Sequence, residues 1–338
     1  MYPLKFDPWL RTMVWGGRKI APYKGIDAGD DHIGESWELS GVEEHQTPVS
    51  NGAFRGKTIT ELVKEYKGKL VGEHVYAANG DEFPLLVKFI DAREDLSIQV
   101  HPDDAMAHRK HNQPNGKTEM WYVVDAEPGA CLYSGLKEEI TPEDYERRVA
   151  DGTITDVLAR HDVHPGDVFF LPAGRIHAIC SGCLISEIQQ TSDLTYRIYD
   201  YGRPGLDGQP RELHTALAKE AIDYRVYPDY RAHYQPVKNA ETELVSCKYF
   251  TTSLFDLDKT VHKDLSDTDS FLIVMCISGH GTLLDSEPVY DSEGRRGPTK
   301  GHLIGIRQGE TVLIPASSIN VTFAPGEGGM KLLTSRIR

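Results

Sequence analysis

The chain has 338 residues, 39% hydrophobic and 26% charged, proportions that suit a soluble globular protein with a sizeable core and about two domains. Its formal net charge of −14 argues against non-specific binding to nucleic acid or to an anionic membrane, because the global field repels polyanions. Five cysteines are an odd count and too few for a disulfide scaffold, no basic-then-apolar leader opens the chain, and the longest apolar run, residues 271–277, is far short of a membrane span, so a cytoplasmic protein with reduced thiols is expected.

In chain order, residues 57–71 carry Ile59, Leu62, Val63 and Tyr66 at helical spacing. Short strands are predicted at 85–90, 96–101 and 120–124, rich in β-branched and aromatic residues and bounded by Gly, Pro or Asp. Thr141-Pro142-Glu143-Asp144 opens a second helix, with Thr as N-cap and Pro at the first helical position. Strands follow at 167–171, 183–189 and 195–199, and a third helix at 212–222. A polar stretch over 227–242 precedes a renewed strand pattern from Leu244, with strands at 270–277 and 310–314. Many short strands with few helices predict a mainly-β sandwich or barrel with helical additions. The expected division is 1–226, a linker 227–243, and 244–338.

One string carries more information. Gly166-Asp167-Val168-Phe169-Phe170-Leu171-Pro172-Ala173-Gly174-Arg175-Ile176-His177 reads G-x5-P-x-G-x2-H, and it matches the second cupin motif at every fixed position. The Gly-Asp pair turns the chain into a strand, Pro172 and Gly174 bend it at the far end, and His177 starts the next strand, free to point inward. The pattern recurs from Gly309 through Pro315 and Ser317 to Asn320. Two copies of one unit are therefore expected, a tandem cupin of two jelly-roll barrels. The second copy has Asn320 where the first has His177.

In Ser97-Ile98-Gln99-Val100-His101, Gln99 and His101 share one face of a strand, about 6–7 Å apart along it. Leu96, Ile98 and Val100 occupy the other face. Glu119 begins the apolar strand 120–124. Alone, each has a plain reading: a half-exposed strand, a strand-end carboxylate, a structural histidine. Together with His177 they make two imidazoles, a carboxylate and an amide oxygen, a set that suits Zn²⁺ and also Mn²⁺, Fe²⁺, Co²⁺ or Ni²⁺. Cys180-Ser181-Gly182-Cys183 reads instead as a hairpin turn, since no second cysteine pair completes a zinc set.

The segment Ser97–Asp103 resembles the S-I-Q-V-H-P signature of type I mannose-6-phosphate isomerases. Trp15-Gly16-Gly17, Gly34-Glu35-Ser36-Trp37-Glu38, the pair Lys117 and Glu119, Ser192-Asp193-Leu194-Thr195-Tyr196-Arg197 and Tyr199-Asp200-Tyr201-Gly202-Arg203 fit the same family, in order from about residue 15 to residue 203. The C-terminal third resembles it mainly in being a second cupin. The resemblance implies a zinc enzyme, one metal per chain, that interconverts mannose 6-phosphate and fructose 6-phosphate. It implies metal ligands Gln99, His101, Glu119 and His177 and a catalytic Arg197. Larger relatives carry His-Lys-Pro-Glu where this chain has Gly116-Lys117-Thr118-Glu119, so any role of that histidine does not carry over. The length resembles the short bacterial form.

Aldose–ketose isomerisation through a cis-enediol needs a base for the carbon-bound proton. Glu187, Asp193 and Lys117 are candidates beside a metal-bound water, Glu187 being favoured; its plain reading is a carboxylate paired with a cation. Arg197, mid-strand, would neutralise the phosphate or enediolate with its donor fork, unless Asp193 or Asp200 takes it as an ion pair. Ser97 and Lys88 are further phosphate candidates, because Lys88 interrupts strand 85–90 where a charge is out of place unless its head reaches a polar site. The expected partner is a small sugar phosphate, with no nucleic acid or membrane; monomer and homodimer both stay open. The alternatives are a cupin isomerase or epimerase for another sugar phosphate, and a non-catalytic metal cupin that binds one.

Overall fold

The strands near residues 85–92 and 183–190 carry apolar side chains on both faces, and such strands are stable only between two packed layers. A computed structural model, which describes residues 1–29, 32–290 and 296–338, places them there. The first half of the chain runs β1 (Leu4–Lys5), β2 (Trp9–Gly17), α1 (Ile20–Lys24), β3 (Ile33–Leu39), α2 (Ile59–Tyr66), α3 (Gly68–Val71), α4 (Glu73–Asn79), β4 (Leu85–Ala92), β5 (Ile98–Val100), α5 (Asp104–His111), β6 (Glu119–Ala126), β7 (Cys131–Leu136) and α6 (Pro142–Ala150). It continues with β8 (Leu158–Asp162), β9 (Val168–Leu171), β10 (His177–Ile179), β11 (Cys183–Gln190), β12 (Tyr196–Tyr199) and α7 (Thr215–Ala221). The last third is all strand: β13 (Glu241–Ser246), β14 (Thr251–Leu257), β15 (Val261–Asp264), β16 (Leu272–Tyr290), β17 (Arg296–Arg307), β18 (Thr311–Ile314) and β19 (Asn320–Arg336).

Three sheets stack. The central one has the order β2-β3-β4-β11-β6-β9, and the second has β12-β5-β10-β7-β8. They face each other across Trp15, Ile90, Trp121, Val123, Leu132, Phe169, Ile179 and Ile185. Their edges stay open, so the expected barrel is a two-sheet jelly-roll sandwich. The third sheet follows β1-β18-β16-β19-β14-β13, with β15 on β19 and β17 on β16. β16 and β19 bend at bulges around Ser278 and Gly281, which lets this sheet fold over its own core of Phe255, Val274, Leu283, Phe323 and Leu332.

Alternation in the central sheet decides what each layer receives. In β4, Val87 and Phe89 point towards the third sheet, where Leu254, Ile273, Met275, Leu313 and Leu333 meet them. Lys88 and Ile90 point the other way, into the sandwich. β11 repeats this, Ile188 outward and Glu187 inward. The first strand crosses over: β1 pairs with β18. The polar stretch after α7 is held by Tyr234 Oη donating to the Gly166 carbonyl at 2.7 Å and by a bridge between Phe169 and Arg231.

The repeated turn is present twice. Gly166 and Gly309 both adopt positive φ, 98° and 79°, each introduces a four-residue strand, and His177 and Asn320 each start the strand after it. The helix expected over 57–71 breaks in two at Lys67, whose φ is 49°. The Thr141 cap and first-turn Pro142 of α6 stand as expected. Among the described residues no helix is long and apolar enough to cross a membrane.

Phe89 is fully buried between the central and third sheets, against Tyr23. Phe89→Ala is expected to destabilise the chain by about 3–5 kcal/mol, read from denaturant unfolding, because the cavity lies between rigid layers that cannot collapse to fill it.

Candidate metal centre and active site

Strand register builds the site as two facing rows. On the second sheet, Gln99 of β5 pairs with His177 of β10 on one side and with Arg197 of β12 on the other. On the central sheet, Lys88 pairs with Trp37, Glu187 with Lys88, and Trp121 with Glu187. Directly opposed residues put their side chains on one face a few ångströms apart, so each row needs only correct register.

His101, Glu119 and His177 meet at the bottom of the space between the rows, their ligating atoms within 4.8 Å of one another. Their exposures are 2%, 0% and 1%. The Nδ1 of His101 is 2.8 Å from the Leu194 carbonyl, and that of His177 is 2.8 Å from the Arg175 carbonyl. A carbonyl only accepts, so each Nδ1 carries the proton and each Nε2 turns a lone pair inward. His177 Nε2 lies 3.2 Å from Glu119 Oε1, and His101 Nε2 lies 3.6 Å from Glu119 Oε2. Glu119 Oε1 is buried without a hydrogen-bond partner. The orphaned Glu119 Oε1 and the His177 Nε2 lone pair face one another and repel unless a cation sits between them, so these residues fit a divalent metal. Burial, then the nearby Lys117 ammonium, pushes His177 down to about 3 and His101 well below its usual value, which keeps both imidazoles neutral as ligands must be. The Gln99 amide reaches His177 Nε2 at 3.3 Å; turned over about its terminal bond, it would offer its oxygen to the same point.

Above this floor lies a cavity of ≈ 260 Å³ lined by Ser97, Gln99, Lys117, Glu187, Asp193 and Arg197 among others. Lys117 contacts Glu119 and stands 3.2 Å from His101 Nε2 and 3.7 Å from Glu187 Oε1. Burial opposes its charge, but Glu119 and Glu187 outweigh that and hold Lys117 protonated. Glu187 accepts from Trp121 Nε1 at 2.8 Å and lies 3.3 Å from Lys88 Nζ. Burial alone would raise its carboxyl; Lys117 and Lys88 instead take it down to about 2. Glu119 goes the other way, raised by burial and by the negative charge of Glu187. Lys88 also sits over the Trp37 ring at 4.6 Å. The plain reading of Glu187, a carboxylate paired with cations, therefore holds, without excluding chemistry at its free edge.

The alternative for Arg197 does not hold. Asp200 is taken by Arg203 at 2.9 Å and Arg211 at 2.6 Å. Arg197 donates through Nη1 to the Glu212 carbonyl at 3.0 Å, and its Nε is buried without a partner. Burial and the like charge of Arg211 weaken its hold on its proton. Asp193 is exposed, between this cavity and a neighbouring cleft of ≈ 690 Å³.

Every residue proposed from the sequence lies in this cavity or its floor. Leu96, expected on the outer face with Ile98 and Val100, turns inward to Ile179 because it precedes the regular strand. Sequence reasoning gave no role to Arg11, Glu35, Trp37, Trp121, Arg211 and His214, which also line the cavity. Glu35 and Trp37 were open to inference, since i and i+2 on β3 share a face, and Trp37 Nε1 donates to Glu35 at 2.6 Å. Arg211 and His214 lie in irregular chain with no period to reveal them. Two glycines explain local motifs. A Cβ at Gly17 would meet the Asp91 carboxylate at 2.2 Å, and one at Gly116 would meet the Pro102 carbonyl at 2.4 Å. The second leaves no room for the histidine that larger relatives carry there.

The family model for phosphomannose isomerase type I, catalytic domain, matches residues 4–135. Mannose-6-phosphate isomerase ManA of Bacillus subtilis (strain 168) is 35% identical over 85% of this chain and 89% of its own length. A mannose-6-phosphate isomerase of Streptococcus mutans is 33% identical over 83% of this chain and 86% of its own. The crystal structure of the Bacillus subtilis mannose 6-phosphate isomerase superposes with a TM-score of 0.85 at 30% identity, covering 99% of both chains. Site geometry, sequence and fold thus converge, and the chain belongs to the type I mannose-6-phosphate isomerase family.

Proposed function

We infer that the chain interconverts mannose 6-phosphate and fructose 6-phosphate through a cis-enediol, and we propose the roles of its residues. The observation that carries this reading is the pair of facing rows, with neutral ligands and Arg197 on one side and the Lys88–Glu187–Lys117 charges on the other. Gln99, His101, Glu119 and His177 would hold the metal, which we take to be Zn²⁺ from two imidazoles, a carboxylate and an amide oxygen. Bound there, it would supply Lewis-acid polarisation of the substrate's carbonyl and hydroxyl oxygens.

The remaining work belongs to the chain's own side chains. Glu187 is fully ionised at neutral pH and is assigned the carbon-bound proton that moves between C1 and C2. Lys117, kept protonated by two carboxylates, acts as an acid and not as a base: it donates to the oxygen on which charge develops. Asp193, at the exposed rim, is assigned proton exchange with solvent. Arg197 supplies the donor fork for the anion, with Ser97 in the neighbouring lining. Lys88 is committed to Glu187 and Trp37, so we assign it to setting the Glu187 charge ahead of direct phosphate contact. Residues 1–226 would form the metal-bearing cupin, 227–243 a linker and 244–338 a cupin without ligands, all within a cytoplasmic enzyme.

His101→Ala and His177→Ala are each expected to lose metal and activity together, as measured by metal analysis of the purified protein beside an isomerase assay before and after chelation. A fully active metal-free preparation would sink the metal assignment. Arg197→Ala is expected to keep its metal while kcat/KM drops by roughly 100-fold or more. Glu187→Gln should also keep its metal, lose about 10²–10⁴-fold in kcat, and stop exchange of the C2 proton of mannose 6-phosphate with deuterated water. Exchange at the wild-type rate would move the base elsewhere.

A further inference from the structure

Three of the five thiols meet at the far end of the second sheet. The pairing of β10 with β7 runs His177↔Ser134, Ala178↔Tyr133, Ile179↔Leu132, so the next step sets Cys180 opposite Cys131. The Cys180 amide donates to the Cys131 carbonyl at 3.2 Å, which continues the ladder. Leu132 and Ile179 point into the core between the sheets, so Cys131 and Cys180 share the outer face. Opposed residues at such a ladder position have Cα atoms about 5.5 Å apart, inside the window of about 4.4–6.8 Å that a disulfide spans. The Cys131 and Cys180 thiols perturb each other's titration, as neighbouring sulfurs do. Cys183, beyond the same turn, belongs to the inner core and is fully buried; its thiol reaches only the Cys131 carbonyl, at 3.4 Å.

The surroundings of the two sulfurs differ. Cys131 is opposite Asp162 on β8, and Arg160, two residues away on the same face, brings its positive charge near the sulfur. Arg160 is 48% exposed and Cys131 8%, so the sulfur lies just beneath solvent under a guanidinium. The neighbouring Cys180 thiol, set against burial and helped by Arg160, brings the Cys131 thiol down to about 7, with Asp95 opposing. Cys180 is pushed up, first by the neighbouring Cys131 sulfur and then by burial, with Asp95 adding to the effect. A thiolate beside a protonated partner thiol is the arrangement of an attacking and a resolving cysteine.

We propose that Cys131 and Cys180 are an oxidant-sensitive dithiol which hydrogen peroxide or an organic hydroperoxide converts to a cross-strand disulfide. The Cys131 thiolate attacks the peroxide, the O–O bond breaks, and a sulfenic acid forms while the leaving hydroxide takes a proton to become water. The Cys180 sulfur then displaces the sulfenic oxygen as a second water, its own proton going with it. Two thiols lose two electrons in all, and hydrogen peroxide is reduced to two waters. The bond would staple the sheet that carries Gln99 and His177 from the face opposite the metal ligands.

The test treats the full-length, metal-loaded protein with hydrogen peroxide, alkylates the remaining free thiols and maps peptides without reduction. The expected product links the peptides of Cys131 and Cys180, two hydrogens lighter, and forms about tenfold or more faster than any change at Cys247 or Cys276. It should be absent from Cys131→Ser and Cys180→Ser and retained in Cys183→Ser. Arg160→Leu should slow it several-fold while unoxidised isomerase activity stays unchanged. Iodoacetamide labelling of the untreated wild type reads the same thiolate without substitution, and Cys131 should label first. A link through Cys183, a sulfinic acid on Cys131 with Cys180 still free to alkylate, or slower labelling of Cys131 than of Cys247 would overturn the proposal.

Discussion

The central sheet has no face in water, and the rest of the molecule follows from that. Its strands could close a conventional core on one side only. On the other they carry Lys88, Glu187 and, from the strand start, Glu119, with Lys117 two residues before it. Moving such ions out of water costs several kcal/mol each even after relaxation. Two conditions make this tolerable here. The four charges cancel in pairs at contact distance, and the same strands bury Val87, Phe89, Met120 and Ile188 against the third sheet. At about 1.5–3 kcal/mol for each large apolar side chain, that outer face offsets what the inner face costs.

This bears on what the second copy of the turn and strand pattern contributes. The position of His177 is held in the second copy by Asn320, which accepts a 2.7 Å hydrogen bond from Ser286. No cation is called for by an amide already satisfied by a hydroxyl. What the second copy provides is a surface: Ile273, Met275, Leu313 and Leu333 are the partners of the central sheet's outer face.

Much of this was readable beforehand, and the reason is periodic. Gln99 with His101, the apolar partners on β4 and β11, and the repeated Gly-to-Pro turn are all statements about alternate residues or fixed spacing, which a strand converts directly into geometry. Cross-strand register is not written in one segment. Nothing local to Arg197 says that its neighbour is Gln99, or that Asp200 would be captured by Arg203 and Arg211 and leave Arg197 free. Helix ends were hard for another reason: the apolar stripe from Ile59 to Val71 is continuous, and only the positive φ of Lys67 divides it. Global charge was the poorest guide. The −14 is a property of the whole chain, whereas a phosphorylated sugar would meet Arg197 and Lys117 in one cavity above the candidate metal site.

The link between the lobes passes through the same alternation. On β3, Glu35 and Trp37 line the cavity while Ser36 and Glu38 face away from it. Glu38 accepts from Lys24 through both oxygens at 2.6 Å, and Lys24 also donates to the Gly309 carbonyl at 2.5 Å, in the turn that opens β18. Lys24 and Glu38 are 6% and 4% exposed, and Ser36 donates to Glu38 at 2.6 Å. A buried pair of this kind adds little net stability over apolar residues of the same size, but it admits only one register between the parts it joins. A slip of β3 by one residue would strand Lys24 without its carboxylate and turn Glu35 and Trp37 out of the cavity together. The Gly309 turn of the second copy thus fixes the strand that shapes the cavity of the first.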